Sequence, residues 1–246
     1  MSLTLKPGRH STFSVGVDGK RVHEMMQELI DQYFITHLSL SPLDAYDLHQ
    51  NYYKQYGLAI EGLVRHHAID PLEYNALVDD ALPLEDVIHP DPQLRQLLLD
   101  LDRDKVKLWL FTNAYVNHAS RVVRLLGVED LFEGVTYCDY AAPRLVCKPA
   151  REMYEKAMKE AAQGRRVEEC YFVDDSFLNC NSAQDFGWTS VHLLERDDRE
   201  PATKAARYQI RSLQELRDLF PQFFRDGVDM DRDRDGDMHI ANGHDR

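Results

Sequence analysis

The sequence of 246 residues predicts an α/β protein with a parallel sheet covered by helices on both faces and a separate helical unit. Two observations predict this class. Four helix patterns follow one another without a strand over roughly residues 21–88, and strand-like and helical segments then alternate over residues 89–224. We therefore expect a helical unit at 21–88 and an α/β core at 89–224. An atypical segment at 1–20 precedes them, and an acidic tail at 225–246 follows.

The helices of the first unit carry start and stop signals in the sequence. Apolar residues recur at helical spacing over residues 22–34. Ser41, followed by proline, is a typical N-cap for a second helix, which Gly57 is placed to end. A third short helix is predicted at 59–66, and Asp70 with the proline after it starts the fourth. In the first twenty residues, only 13–17 is a weak strand candidate.

The α/β part alternates between the two periodicities. Buried strands are predicted at 106–111, 134–138, 171–173, 190–193 and 208–210. Helices are predicted at 91–103, 116–126, 150–162, from about 179 to 187, and from the Ser212 capping box to about 224. Parallel strands separated by helices of this length predict a sheet with both faces covered.

Composition and charge narrow the function class. The chain is 43% hydrophobic and 29% charged, as in ordinary soluble globular proteins, and its net charge is −13. This charge argues against a nucleic-acid polymer or a membrane surface as partner, but it permits a locally positive pocket for a small phosphate. No apolar segment resembles a signal peptide or a membrane span, so we expect an intracellular protein, cytoplasmic and with the nucleus as a second location.

Cysteine usage and the tail add two expectations. The four cysteines form no Cys-x-x-Cys pair and lie in or beside core segments, so buried free thiols are expected: Cys138, Cys147, Cys170 and Cys180. The tail contains Asp231-x-Asp233-x-Asp235-Gly236, the first half of an EF-hand calcium loop, but Asn242 stands at the twelfth position. We expect a solvated, disordered tail.

Three polar segments follow strands of the predicted core. Asp174 and Asp175 come directly after Cys170-Tyr-Phe-Val173, and the pair suits either Mg²⁺ or a turn that caps the next helix. Thr112 and Asn113 follow the strand at 106–111 and offer a hydroxyl and backbone N–H groups to a phosphate, or an ordinary N-cap. Lys148 stands immediately before a proline that opens a helix. Each signal is weak alone, but in this order they form a set.

The ordered set resembles the haloacid dehalogenase superfamily of phosphatases. The helical cap of fungal pyrimidine 5′-nucleotidases resembles the run Tyr52-Tyr-Lys-Gln-Tyr-Gly-Leu-Ala-Ile-Glu-Gly-Leu-Val-Arg-His-His67. The second and fourth motifs of that family are similar to Leu108-Trp-Leu-Phe-Thr-Asn-Ala-Tyr-Val-Asn-His118 and Tyr171-Phe-Val-Asp-Asp-Ser176. The resemblance covers about residues 22–222. It implies a Rossmann-like core with an inserted helical cap, and Mg²⁺-dependent hydrolysis of nucleoside 5′-monophosphates or other small phosphomonoesters.

The resemblance also implies roles for individual residues. Thr112 would hold the transferring phosphoryl group with Asn113 beside it, and Lys148 would neutralise charge on the phosphate and on the attacking carboxylate. Asp174 would bind Mg²⁺, and Asp175 would bind the metal or orient its waters. In the cap, three polar residues would contact the base or ribose, or would form a solvated helix face: Glu61, Arg65 and His66.

The sequence departs from the family at its first motif. That motif, Asp-x-Asp, supplies the nucleophile and the acid–base, and this sequence has no Asp-x-Asp before the predicted cap. Asp18 is the only aspartate before Asp31, and laying the family pattern along the sequence without gaps places the two positions near His10 and Thr12.

Three accounts of this departure remain open. In the first account, the N-terminal residues of this sequence are a truncated or mis-joined version of an active enzyme's sequence. Alternatively, the protein is a non-catalytic relative that binds phosphate or nucleotide through Thr112, Lys148 and Asp174. In the third account, Asp18 serves as nucleophile after a local rearrangement. Loss of the nucleophile would remove most of the rate enhancement, because such residues act as a unit with their partners.

Overall fold

The computed structural model describes residues 2–3, 19–162, 164–194 and 200–225. The expected Phe13–Val17 strand, His10, Thr12, Asp18 and the tail with its aspartate repeat lie outside these residues. Within the described part of the chain, no helix is long and apolar enough to cross a membrane. All four cysteines are buried free thiols, as predicted.

The predicted helical unit forms four α-helices. They are α1 (Gly19–Leu38), α2 (Pro42–Tyr56), α3 (Ala59–His66) and α4 (Pro71–Leu77). The Ser41 hydroxyl caps α2 by accepting a hydrogen bond from the backbone N–H of Asp44, and Gly57 ends α2 with a φ of 77°. The Asp70 carboxylate accepts from the backbone N–H of Leu72 at the start of α4. The capping signals in the sequence therefore placed these helix ends correctly.

The remaining elements alternate as predicted. Their bounds are α5 (Pro92–Leu99), β2 (Lys107–Leu108), β3 (Leu110–Phe111), α6 (Val116–Leu125), β4 (Val135–Thr136), α7 (Arg151–Ala157), β5 (Tyr171–Asp174), α8 (Phe177–Phe186), β6 (Thr189–Leu193), β7 (Tyr208–Ile210) and α9 (Leu216–Leu219). A strand that the sequence did not predict, β1 (Ser2–Leu3), precedes them all. Two residues are too short a segment to show a periodic pattern.

In the described ranges, every hydrogen-bonded pair of strands is parallel. β1 pairs with β2, with Ser2 opposite Lys107, and β3 pairs with β4, with Leu110 opposite Val135. β6 lies between β5 and β7. The hydrogen-bonded groups are β1–β2, β3–β4 and β5–β6–β7, and β1 also lies beside β5. β1 therefore lies between β2 and β5.

Several predicted elements are shorter or more broken than expected. α5 ends at Leu99, because the Asp102 carboxylate accepts from the N–H of Asp104 and fixes a turn within the predicted helix. The predicted helix at 150–162 changes to a π-helix at Met158–Ala162. The predicted last helix becomes α9 between two 3₁₀ turns, because Pro221 has no N–H to continue the ladder. α8 begins two residues before Asn179.

A shared apolar core joins the helical unit to the sheet. Phe34 of α1 and Leu63 of α3 belong to the same buried cluster as Phe111 at the end of β3 and Phe172 of β5. Burial of this kind stabilises a protein by about 25 cal/mol per Å² of apolar surface removed from water. The helical unit and the sheet therefore share one apolar core.

Candidate active site

The ends of two strands bring the predicted polar turns together. Thr112 and Asn113 follow β3, and Asp174 ends β5. Lys148 lies in the connection between β4 and α7, where its side chain is completely buried. Since parallel strands have their carboxyl ends at the same edge of the sheet, these residues meet at one edge.

Lys148 is the central charge of the site. Its Nζ donates to the carbonyl oxygen of Phe111 at 2.8 Å and to Oδ2 of Asp174 at 2.9 Å. The ammonium also lies 4.6 Å from the ring centroid of Phe111 and 5.1 Å from that of Phe172. A buried cation needs such partners, because removing it from water without them is costly.

Asp174 is held from two sides. Its Oδ1 accepts from the backbone N–H of Ser176 at 2.9 Å and from Nδ2 of Asn179 at 3.0 Å, while Oδ2 faces Lys148. Ser176 is also the N-cap of α8, and its hydroxyl accepts from the N–H of Asn179. The two interpretations of this segment are therefore compatible: the same turn caps a helix and fixes a buried carboxylate.

Thr112 and Asn113 make different contacts. The backbone N–H of Thr112 donates to Thr136 at 2.9 Å, and its hydroxyl oxygen accepts from the N–H of Ala114 at 3.0 Å. Asn113 bonds the backbone of Lys148 twice: Oδ1 accepts from its N–H at 2.7 Å, and Nδ2 donates to its carbonyl at 2.8 Å. The Lys148–Pro149 peptide bond is cis.

Oxygen ligands for a metal stand at the same edge. Asp175 is half-buried beside Asp174, and Nε2 of His192 lies 3.0 Å from its backbone carbonyl oxygen. No group of three or more His, Cys, Asp or Glu side chains that could hold a metal ion occurs in the part of the chain that the structure describes. Two neighbouring carboxylates without a complete protein cage fit Mg²⁺, which keeps several waters and takes oxygens from a bound phosphate.

Cys180 is next to the site but is a poor nucleophile. Its Sγ donates to the backbone carbonyl of Asp174 at 3.2 Å. Burial and the nearby Asp174 carboxylate raise the pKa of the Cys180 thiol well above its ordinary value. The thiol is therefore protonated at neutral pH, and thiolate chemistry is not available there.

The three predicted cap residues lie together on α3. Glu61 is buried, and its Oε1 accepts from Nε of Arg65 at 2.6 Å. Nε2 of His66 lies 2.7 Å from the hydroxyl of Tyr56, and the Arg65 guanidinium lies 5.0 Å from the centroid of the same ring. Among the described residues, none of the three bonds Thr112, Lys148 or Asp174. The structure therefore groups Glu61, Arg65 and His66 on α3, but within the described residues it shows no hydrogen bond from them to the residues of the sheet edge.

The helical unit nevertheless touches the peptide that carries Lys148. A Cβ atom on Gly57 would lie 2.8 Å from Cδ of Pro149 and 3.1 Å from the carbonyl oxygen of Lys148. One residue earlier, the carbonyl oxygen of Tyr56 lies 3.9 Å from Sγ of Cys147. The turn between α2 and α3 thus packs against residues 147–149, which form the lysine segment.

Asn179 is the site residue that sequence reasoning missed. Its side chain bonds Asp174, and its backbone carbonyl accepts from the hydroxyl of Tyr154 at 2.9 Å. Its position in the first turn of the helix after the two acids was the available signal, but the helix was expected to begin at that residue. Asp18, the weak nucleophile candidate, lies outside the described residues.

Comparison with known proteins gives a family match and a sequence relative. The family model for haloacid dehalogenase-like hydrolases matches residues 17–187. Phosphate metabolism protein 8 from Saccharomyces cerevisiae is 40% identical over 184 residues, which cover 71% of this chain. The chain spans 57% of the length of that relative.

Solved structures share the fold. A HAD phosphatase from Thermococcus onnurineus superimposes with a TM-score of 0.54 at 18% identity, covering 89% of this chain and 96% of that structure. L-2-haloacid dehalogenase from Xanthobacter autotrophicus superimposes with a TM-score of 0.53 at 14% identity, covering 89% of this chain and 98% of that structure. At such identities the similarity concerns the fold alone, and it confirms the predicted α/β core with an added helical unit.

Proposed function

The chain belongs to the haloacid dehalogenase-like hydrolases, and from this premise we propose that it binds nucleoside 5′-monophosphates with Mg²⁺ and hydrolyses their phosphate ester. The observation that carries the proposal is that the Lys148–Asp174 pair and Thr112 are buried at the carboxyl edge of a parallel sheet. Open α/β sheets bind their ligands at this edge. The name of the yeast relative, Phosphate metabolism protein 8, agrees with a phosphate substrate.

Each core residue has a proposed task. The Thr112 hydroxyl, whose oxygen accepts from Ala114, would donate its hydrogen to a phosphate oxygen. The Lys148 ammonium would balance the negative charge of the phosphate and of the attacking carboxylate. Fixed donors and charges in a site without water stabilise a phosphoryl-transfer transition state more strongly than the same groups in solution.

Asp174 and Asp175 would hold the magnesium ion. When bound, Mg²⁺ supplies positive charge to the phosphate oxygens. The chain's own contribution is to keep Asp174 in one orientation through Ser176 and Asn179. A carboxylate fixed in this way does not have to be ordered when the ligand arrives.

We propose that residues 21–88 form the cap over a core of residues 89–224 and select the nucleoside part of the substrate. Glu61, Arg65 and His66 would contact the base or ribose. Two contacts of the turn between α2 and α3 support this placement: Gly57 lies against Pro149 and the Lys148 carbonyl, and the carbonyl oxygen of Tyr56 accepts from Sγ of Cys147 at 3.9 Å. Cys147 is the neighbour of Lys148, so the helical unit contacts the segment that carries the lysine.

A second candidate function is nucleotide binding without turnover. It is favoured by the sequence, which has no Asp-x-Asp before the helical unit and only Asp18 before Asp31. In the family reaction an aspartate attacks phosphorus, the nucleoside leaves, and water then releases phosphate from the aspartyl-phosphate. Without that nucleophile, the site would still bind phosphate but would not divide the reaction into these two steps.

One experiment separates the two functions. Phosphate release from UMP and CMP is measured with Mg²⁺ and with a chelator, alongside thermal stabilisation by the same nucleotides. Phosphate release that is abolished by Asp174→Asn and unchanged by Asp130→Asn, which alters an exposed carboxylate paired with Arg95, would support hydrolysis. Mg²⁺-dependent stabilisation without release would support binding alone. If the nucleotides neither bind nor react, both proposals are wrong.

A further inference from the structure

We propose that Asn113 is a positioning residue for Lys148 and not a ligand of the phosphate. The inference deepens the proposed function and rests on it in one respect, namely that Lys148 is the cation that meets the phosphate. It reassigns a residue that the family resemblance places beside the phosphoryl group.

The first step is that the amide of Asn113 is already engaged at both ends. Oδ1 accepts from the N–H of Lys148 at 2.7 Å, and Nδ2 donates to the Lys148 carbonyl at 2.8 Å. The residue is only 2% exposed. These two bonds fix the amide plane against the Lys148 backbone, and a ligand that turned the amide would break buried hydrogen bonds of that backbone.

The second step is that one turn holds Lys148 at both its backbone and its ammonium group. Phe111, Thr112 and Asn113 are consecutive residues. The Phe111 carbonyl accepts from Nζ of Lys148 at 2.8 Å, and the Asn113 side chain bonds the Lys148 backbone. Thr112 lies between Phe111 and Asn113 in the chain, so these bonds also fix the position of Thr112 relative to the lysine ammonium.

The third step is that asparagine matches this task chemically. The N–H and carbonyl of one residue require an acceptor and a donor side by side, and a carboxamide on a short side chain supplies both. Aspartate would supply the acceptor only, and alanine neither. A lysine side chain loses rotamer freedom when it binds a ligand, and a backbone that is already held in place reduces the part of that entropy cost that falls on ligand binding.

The test measures the accessibility of Lys148 directly. Wild type and Asn113→Ala are acylated with an amine-reactive ester, and the modification of Lys148 is quantified by peptide mass spectrometry, with exposed Lys54 as internal reference. We expect acylation of Lys148 to be about tenfold faster in the variant, because the loss of two hydrogen bonds of ordinary net strength changes an equilibrium by about that factor or more. Lys54 should be unchanged.

Asn75→Ala is the matched control. Asn75 is also buried, at 4% exposure, and its Nδ2 donates to Asp80 at 2.8 Å and not to the backbone of Lys148. It reports how much loss of any buried asparagine opens the protein. If Lys148 is acylated no faster in Asn113→Ala than in Asn75→Ala, Asn113 does not position the lysine and the inference is wrong.

A binding measurement distinguishes positioning from direct contact. Affinities for inorganic phosphate and UMP with Mg²⁺ are compared by calorimetry, and both should fall by the same factor in Asn113→Ala. A large loss of affinity with unchanged acylation of Lys148 would instead make Asn113 a ligand and would overturn the inference. If the wild type binds neither ligand, the proposed function is wrong, while the acylation experiment still decides the role of Asn113.

Discussion

Lys148 and Asp174 form an ion pair whose atoms Nζ and Oδ2 are 2.9 Å apart and whose side chains are both completely shielded from solvent. The pair joins the connection after β4 to the end of β5. Each partner has further bonds to a neighbouring backbone, Lys148 to Phe111 and Asp174 to Ser176. The Lys148 ammonium, which the proposed function uses to bind phosphate, therefore also neutralises a buried carboxylate in the folded protein.

Removal of the lysine alone should strongly destabilise the protein. Lys148→Met keeps the length and apolar contacts of the side chain but leaves the buried Asp174 carboxylate without its cation. Breaking one partner of a buried pair usually costs about 3–5 kcal/mol. Urea denaturation at pH 7 measures the change in the free energy of unfolding.

The double variant Lys148→Met with Asp174→Asn is the decisive comparison, because it removes both charges and should recover a large part of the loss. Lys105 serves as a surface control: its ion pair with Asp102 is half exposed, and Lys105→Met should change stability by less than about 1 kcal/mol. A double variant no more stable than the single one would show that the pair's charges are not the cause.

Gly57→Ala should destabilise the protein for two reasons. Gly57 has a φ of 77°, which disfavours a Cβ by roughly 1–2 kcal/mol, and the added atom would meet Pro149 at 2.8 Å. Gly164 has a φ of 91° with no atom within 4 Å of an added Cβ, so Gly164→Ala reports the backbone cost alone. We expect Gly57→Ala to lower the thermal midpoint more than Gly164→Ala. Equal shifts would mean that the lysine segment moves aside without cost.

Much of the fold follows from local signals in the sequence. Ser41, Gly57 and Asp70 act on their own helix ends, so their effects do not depend on the rest of the chain. The alternation of strands and helices in the sequence likewise predicted the parallel pairing of the strands. β1 could not be predicted, because its pairing with Lys107 and Leu108 is a long-range relation that two residues do not record.

The proximity of the candidate residues at one sheet edge was predictable from the sequence, but their individual hydrogen bonds were not. Thr112, Lys148 and Asp174 stand after strands, so their meeting at one sheet edge follows from topology. The bonds of Asn113 to Lys148 and of Asn179 to Asp174 do not follow, because the segments involved are joined only in the folded chain. An asparagine in a polar motif has several possible partners, and sequence spacing alone does not choose among them.

Asp79 should make stability depend on pH in a defined direction. Burial raises the pKa of the Asp79 carboxyl from its ordinary value of 3.8 to about 6, against the opposing effects of His118 and Tyr140. Its Oδ2 is a buried atom without a hydrogen-bond partner among the described residues. The folded state therefore holds a proton that the unfolded state releases near pH 4. The contribution of this proton to the free energy of unfolding is fully present below pH 4 and is lost as the pH rises through 6.

Asp79→Asn should remove that dependence. A pKa raised from 3.8 to about 6 corresponds to roughly 3 kcal/mol of stability lost by the wild type between pH 4 and high pH. The variant does not lose this stability, so its free energy of unfolding relative to wild type should rise by up to that amount from pH 4 to above pH 6. Asparagine can still accept from Tyr140. Urea midpoints at pH 4.5, 5.5 and 7.5 measure the effect, with the exposed Asp130→Asn as control. A difference between variant and wild type that stays constant over this range would contradict the prediction.

Glu61 and Arg65 should affect nucleotide binding more than phosphate binding. The two residues are paired on α3, with 2.6 Å between Arg65 Nε and Glu61 Oε1. Loss of a charged hydrogen bond to a nucleoside weakens binding about tenfold or more, so Glu61→Gln should lower UMP affinity by that factor while affinity for inorganic phosphate stays constant. Arg151 and Glu155 on α7 have the same spacing and are exposed, so Glu155→Gln is the matched control. Equal losses for UMP and phosphate in Glu61→Gln would assign the pair to holding the helical unit in place and not to recognising the nucleoside.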